Sequence, residues 1–205
     1  MPRRAPIDPV GTYHVGSRGC YGRTLFHDFT EHEIFLQMYD RVARKYEWVT
    51  LAWVLMKNHH HFIVELHDGG LSEGMRELHG GYSRWLHEIH GLTRQGHLFR
   101  HGFFARSLAS DADVITACTY VDLNPVKRRP RSDLRAPTWS GFRATIGLTH
   151  ARRFHQPSAL LELFGSDPPA ARTAYQEHVE AELVRTRQVL RQTTGCDARV
   201  VESQA

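Results

Sequence analysis

The sequence predicts an α+β fold in which helices pack on an antiparallel sheet. Three observations predict it. Residues 12–15, 48–55 and 59–66 are short runs rich in β-branched, aromatic and other apolar side chains, as strands are. Two longer stretches repeat apolar residues at helical spacing, one between the first and second of these runs and one after the third. The second and third runs are joined only by Met56-Lys57-Asn58, a link that suits an antiparallel pair and is too short for a parallel crossover.

Taken in order, Thr12-Tyr13-His14-Val15 is the first strand and runs into a turn-like Ser17-Arg18-Gly19. Asp28 or Thr30 can cap a helix reaching about Tyr46, with Ile34, Met38 and Val42 on one face. Residues 48–55 are strongly apolar and read as a buried strand, and 59–66 as its partner. Asp68-Gly69-Gly70 is a turn, after which Ser72 caps a second helix to about His90. Its stripe is Met75, Leu78, Tyr82, Trp85 and Ile89, and Gly80-Gly81, at about 1 kcal/mol per glycine, marks a place to kink. Residues 98–108 read as a strand or a basic hairpin. Ser110 or Asp111 opens a third helix that must stop at Asn124, because Pro125 follows. Lys127-Arg128-Arg129-Pro130-Arg131 is a basic loop, and 139–148, 158–164 and 168–187 are further short helices. The last 15 residues or so read as frayed.

At 205 residues the chain is one domain, or one with an appendage, and 41% apolar residues suffice for a core. No run of 18 apolar residues exists, so no membrane-spanning helix is expected. The arginines of Met1-Pro2-Arg3-Arg4-Ala5-Pro6 are followed by no apolar stretch, so no secretory leader is expected either. Cys20, Cys118 and Cys196 are odd in number and far apart, which argues against a disulfide framework and for a reducing cytoplasm. Charge is uneven. Residues 1–99 are neutral, 156–205 carry −2, and 100–155 hold 10 basic against 4 acidic side chains, a net +6. A basic middle suits a phosphate-binding surface as well as it suits an ordinary solvated face. Of 26 cations 23 are arginines, which fork onto phosphate and stack on bases, although a GC-rich genome gives the same bias.

Two stretches carry chemistry. Lys57-Asn58-His59-His60-His61-Phe62 places three histidines on one strand, so His59 and His61 share a face and His60 points to the other. Two imidazoles at that spacing can reach one metal ion; three histidines at a strand end on the surface would look the same. Tyr120-Val121-Asp122-Leu123-Asn124-Pro125 closes the third helix, with Tyr120 and Asn124 one turn apart on one face. A phenol and an amide can meet there at a shared site, or the tyrosine can be a packed aromatic and the asparagine an ordinary stop. Elsewhere, His87 and His90 sit three apart on a helix and read as surface residues. Cys118 reads as core, as does at least one of Phe103 and Phe104, and the acidic 168–187 segment reads as a helix packed across the domain.

Together these stretches resemble the single-tyrosine transposases of the HUH endonuclease superfamily, and within it the REP-associated tyrosine transposases. Tyr13-His14-Val15-Gly16-Ser17-Arg18-Gly19 resembles their opening strand. Residues 54–65 resemble the metal-binding strand, Gly96-His97-Leu98-Phe99-Arg100 the basic segment before the catalytic helix, and 120–126 the tyrosine helix. Trp139-Ser140-Gly141-Phe142-Arg143 and 160–165 resemble downstream elements, so the likeness runs in order over roughly residues 10–185. His60 stands where the family usually has a bulky apolar residue, and Lys57 where proline is frequent. Strand alternation favours His59 with His61 as the pair that faces a metal.

The resemblance implies a ferredoxin-like antiparallel sheet with packed helices, the HUH endonuclease fold, over residues 1–150. A C-terminal helical extension would follow at 151–190 and a flexible tail at 191–205. It implies Tyr120 as nucleophile, His59, His61 and Asn124 as ligands of Mg²⁺ or Mn²⁺, and Arg18, Arg100, Lys127, Arg128 and Arg129 as DNA-holding residues. The implied activity is cutting and rejoining of single-stranded DNA beside hairpins through a 5′-phosphotyrosine, by a monomer or homodimer. No residue is evident as the base that activates Tyr120. Two alternatives stand beside this one. One is a non-catalytic nucleic-acid-binding module of the same fold. The other is a metal-dependent hydrolase that uses water, with His97 or His101 as third ligand.

Overall fold

The computed structural model describes residues 7–91, 96–100, 102–127 and 132–202, with side chains as far as Gln192. Four strands form one sheet: β1 (Gly11–Arg18), β2 (Val49–Met56), β3 (His59–Leu66) and β4 (Phe104–Leu108). Their order is β2-β3-β1-β4, with every neighbouring pair antiparallel. Helix α1 (Phe29–Lys45) joins β1 to β2 and α2 (Leu71–Ile89) joins β3 to β4, each linking strands that are not neighbours. This is the ferredoxin-like arrangement that the resemblance implied. Helices α3 (Asp111–Leu123), α4 (Phe142–Thr145), α5 (Pro157–Leu161) and α6 (Pro168–Glu202) follow. Among the described residues no helix is long and apolar enough to cross a membrane.

The sheet is buried on both faces, so β2 and β3 read as near-continuous apolar runs. One face packs Tyr13, Val15, Phe62 and Val64 against α1 and α2. Tyr39 of α1 stacks on Phe62 at 3.9 Å, and its hydroxyl is hydrogen-bonded to Thr50 at 2.8 Å. The other face packs Leu51, Val54 and Ile63 against Val114, Cys118 and Val121 of α3, with Leu160 of α5 and Tyr175 and Val179 of α6 outside them. A register shift between Thr50 and Ala52 puts Leu51 and Ala52 both toward this second face. The expected core roles of Cys118 and of the 168–187 helix both hold.

Several local expectations need correcting. Asp28, not Thr30, caps α1 by accepting from the Glu31 N–H. Gly70, not Ser72, precedes α2. Its φ of 74° lies in the left-handed region, and a Cβ there would sit 2.2 Å from the Tyr46 ring, so space and conformation both demand glycine. Gly80 and Gly81 lie inside α2 without ending it. Residues 139–141 are not helical: the Leu55 N–H donates to the Trp139 carbonyl and the Gly141 N–H to that of Trp53, both at 2.9 Å. The open edge of β2 has captured the segment, because unpaired strand groups outcompete a short helix. Helix α6 continues past the end expected near Arg187.

Candidate active site

Pairing with β1 and β2 holds β3 in the sheet interior, so its alternation is rigidly enforced. His60 points to the α1/α2 face, where it is fully buried with its Nε2 3.1 Å from Nε2 of His79. His59 and His61 point to the α3 face. The three histidines thus divide as alternation suggests, and the pair that can share a ligand is His59 with His61, ring centroids 5.2 Å apart.

Helix α3 is capped by Ser110, whose hydroxyl accepts from the Asp113 N–H, and closes with Asn124 as its C-terminal cap. Its apolar side seats on the sheet, which leaves Tyr120 and Asn124 over β3. The Asn124 Oδ1 lies 3.3 Å from His59 Nε2. The Tyr120 ring meets His61 edge-to-face, centroids 5.7 Å apart at 87°, and is 43% exposed. These side chains line a cleft of about 670 Å³ together with Arg18, Met56, Phe104 and Lys127. The Lys127 ammonium sits 4.0 Å above the Tyr120 ring centroid, a cation–π contact. Phe103 is core, as expected of one of the two phenylalanines, and Phe104 faces the cleft.

The donor set fits a divalent cation. His59 Nδ1 lies 2.8 Å from the Asn58 side-chain oxygen, which can only accept, so the ring proton belongs there. His59 Nε2 then presents a lone pair toward Asn124 Oδ1, another lone pair. Two acceptors aimed at each other repel unless a cation lies between them. Among the described residues the buried amide nitrogen of Asn124 has no hydrogen-bond partner. His61 Nδ1 is bonded to His14 Nε2 at 3.0 Å, which leaves its Nε2 available. Burial, reinforced by neighbouring imidazoles and by Lys127 and Arg18, holds His61 down to about 3. Burial first, then Arg106, lowers His14 to about 4. Burial likewise lowers His59, with Arg18 and Lys127 acting in the same direction and the Asn124 contact opposing. All three are therefore neutral near pH 7, the form that ligates.

Other expected residues lie apart. The Arg100 N–H donates to the Arg18 carbonyl at 2.8 Å, but its side chain is not among those lining the cleft. Arg128 and Arg129 lie outside the described residues, as does His101. His97 lines a different cavity with His79 and His87, so it is not the third imidazole at the cleft that the water-hydrolase alternative needs. His14 is the residue that sequence reasoning missed. Tyr13 and Val15 flank it with apolar side chains, so alternation already sent His14 to the opposite face; what the sequence lacked was the β1–β3 register that sets it beside His61.

The sequence pattern of the IS200-like transposases matches residues 10–124, more than half of the chain. The chain belongs to the IS200-like transposase family. Among solved structures, this transposase is similar to a REP-associated tyrosine transposase bound to a REP hairpin. Identity is 20%, the TM-score is 0.61, and the match covers 76% of this chain and 94% of that one. It is also similar to a protein described as a transposase from Deinococcus radiodurans, at 13% identity and a TM-score of 0.42, over 56% of this chain and 91% of the other. None of the curated protein sequences matches significantly.

Proposed function

We propose that this transposase cuts and rejoins single-stranded DNA beside hairpins, with Tyr120 as nucleophile and a divalent cation held by His59, His61 and Asn124. The observation that carries the proposal is the convergence of His59 Nε2 and Asn124 Oδ1 within 3.3 Å, one helical turn from a phenol that faces His61. The cation, Mg²⁺ or Mn²⁺ by family, would polarise a non-bridging oxygen of the scissile phosphate and neutralise charge on it.

The protein's own residues supply positioning. Arg18 and Lys127 line the cleft beside the ligands and are placed to bind the phosphates on either side of the scissile one, and a DNA-holding role for Arg100, Arg128 and Arg129 rests on the family resemblance. Phe104 offers a ring on which an unpaired base can stack. Lys127 holds its ammonium over the Tyr120 ring and so keeps a cation beside the attacking group. The Tyr120 oxygen attacks phosphorus in line and the bond to the 3′ oxygen breaks. That oxygen leaves with a proton as a 3′-hydroxyl, and the 5′-phosphate stays on Tyr120. A second 3′-hydroxyl can then reverse the step on another strand with no nucleotide cofactor. One chain supplies every group named, which supports a monomer able to cut. The similarity to a REP-associated transposase supports that branch and a hairpin substrate. Residues 1–150 form the nuclease unit on this reading, and the helices of 151–190 brace α3 from outside.

Incubation with a library of single-stranded hairpin DNAs and Mn²⁺ tests this. The expected result is a covalent protein–DNA species on denaturing gels, with the adduct mapped to Tyr120 and lost in Tyr120→Phe. Bound hairpins without an adduct would leave a binding module. Cutting that survives Tyr120→Phe would mean that water is the nucleophile.

A further inference from the structure

A second group of ligating side chains lies on the opposite face of the sheet, where α1 begins and α2 ends. His27 precedes the cap of α1, Glu31 sits in its first turn, and His90 closes α2. His27 Nδ1 is 2.8 Å from Glu31 Oε2, and His90 Nε2 is 2.7 Å from Glu31 Oε1. The two imidazole rings are 5.3 Å apart, and the three ligand atoms lie within 4.8 Å of one another. The Glu31 side chain is 3% exposed, whereas those of His27 and His90 are 49% and 38% exposed.

We propose that His27, Glu31 and His90 form a second metal site, structural rather than catalytic, that takes Zn²⁺. Two imidazoles and one carboxylate are a zinc donor set, and they leave an outward position for water. Mg²⁺ prefers oxygen ligands in octahedral array and would gain little here. The carboxylate is already oriented: its Oε2 accepts from the His27 backbone N–H at 2.5 Å, and the Glu31 N–H is itself fixed by the Asp28 cap. A buried carboxylate in want of partners is satisfied by that backbone contact and one ring; the second ring, brought from 59 residues away, makes a convergent pocket instead. Entry of the cation needs only small movements. Each ring turns a lone pair to the metal with its proton on the other nitrogen, and the partly exposed imidazoles shift outward by roughly half an ångström to accept bonds of about 2.1 Å. The cation would staple the start of α1 to the end of α2. The chain leaving α2 then returns to clamp the exit of β1, where the Cys20 N–H donates to the Leu98 carbonyl at 2.8 Å. A staple at His90 would anchor that return.

The test uses untagged protein and metal alone. His59→Ala/His61→Ala protein removes the cleft's imidazoles and should still bind one Zn²⁺ per chain by calorimetry and elemental analysis, unmoved by millimolar Mg²⁺. Co²⁺ in its place should give the stronger visible absorption of a four-coordinate ion, without thiolate charge transfer. Saturating Zn²⁺ should raise Tm by roughly 5–10 °C over the same protein without metal. Adding His27→Ala and His90→Ala should weaken zinc binding at least tenfold and abolish the shift, each protein being compared with its own metal-free form. The proposal is overturned if the His59→Ala/His61→Ala protein binds no zinc, or if the fourfold variant binds zinc with undiminished affinity. Neither readout involves DNA, so the outcome is separable from that of strand cutting.

Discussion

The two faces of β3 put the same side chain to opposite uses within three residues. On the α1/α2 face His60 is enclosed by Phe35, Phe62 and Phe99, and its hydrogen-bond partner among the described residues is His79. Burial holds both rings well below the ordinary imidazole range, His79 to about 3, so the pair is neutral and shares one N–H between two nitrogens. On the α3 face His59 and His61 are equally neutral but open onto a cleft, with outer nitrogens oriented by Asn58 and His14. Burial alone does not separate a structural histidine from a proposed ligand, since His61 is only 8% exposed. The difference lies in what opposes each ring. Aromatic side chains seal one face, whereas the end of a helix carrying an amide and a phenol leaves the other open.

The comparison predicts its largest effect for His59→Ala/His61→Ala, which should lower Mn²⁺-dependent cutting by about a thousandfold or more while the fold persists. His60→Leu/His79→Leu, on the sealed face, should leave cutting within about threefold. Loss of cutting in that folded protein would break the division of labour between faces. Next comes His14→Ala. His14 is hydrogen-bonded to His61 and its ring also meets Phe104 and Tyr120, so losing it should cost about 10- to 100-fold in cutting. The loss should come mainly from weaker metal dependence, read as a shift to higher Mn²⁺ at half-maximal rate. A uniform loss at saturating Mn²⁺ would instead mark His14 as a contact to DNA.

How much of this could be read from the sequence follows from the range of each interaction. Strand alternation is local, so the division between His60 and the pair His59 and His61 was legible, as was the helical turn that sets Tyr120 over Asn124. The stop at Pro125 is equally local. The register of β1 on β3 is not local: it is fixed by burial on both faces at once, and His14 could not be placed beside His61 without it. The capture of residues 139–141 by the β2 edge was illegible for the same reason, since it depends on which strand the fold leaves unpaired. His87 and His90 read together as surface residues of one helix, yet the structure turns His87 toward a separate cavity and gives His90 a partner at the start of α1.

A smaller effect tests the sealed face by stability. His60→Leu alone strips His79 Nε2 of its partner in the core and should cost about 1–3 kcal/mol in denaturant unfolding, whereas the double leucine variant should recover part of that loss. Equal losses in the single and double variants would mean that the pair contributes nothing beyond volume.

The smallest effect concerns acid, and it extends the sealed class to His155. Its ring is buried against β2 with Nε2–H donating to the Leu51 carbonyl at 3.2 Å, and burial lowers it to about 4, the backbone bond opposing only in part. An imidazole lowered by folding takes up its proton in the unfolded chain first. Between the ordinary imidazole value near 6.5 and about 4 the unfolded state binds more protons, so stability falls as pH falls. Below about 4 the folded protein protonates too, and this group's contribution to the slope ends. His155→Gln keeps a donor for Leu51 and does not titrate. It should therefore flatten the decline in unfolding free energy between pH 6.5 and 4 by about 1–2 kcal/mol, while the two proteins differ little in slope above pH 7. An unchanged acid slope would show that His155 is not among the groups that govern acid unfolding.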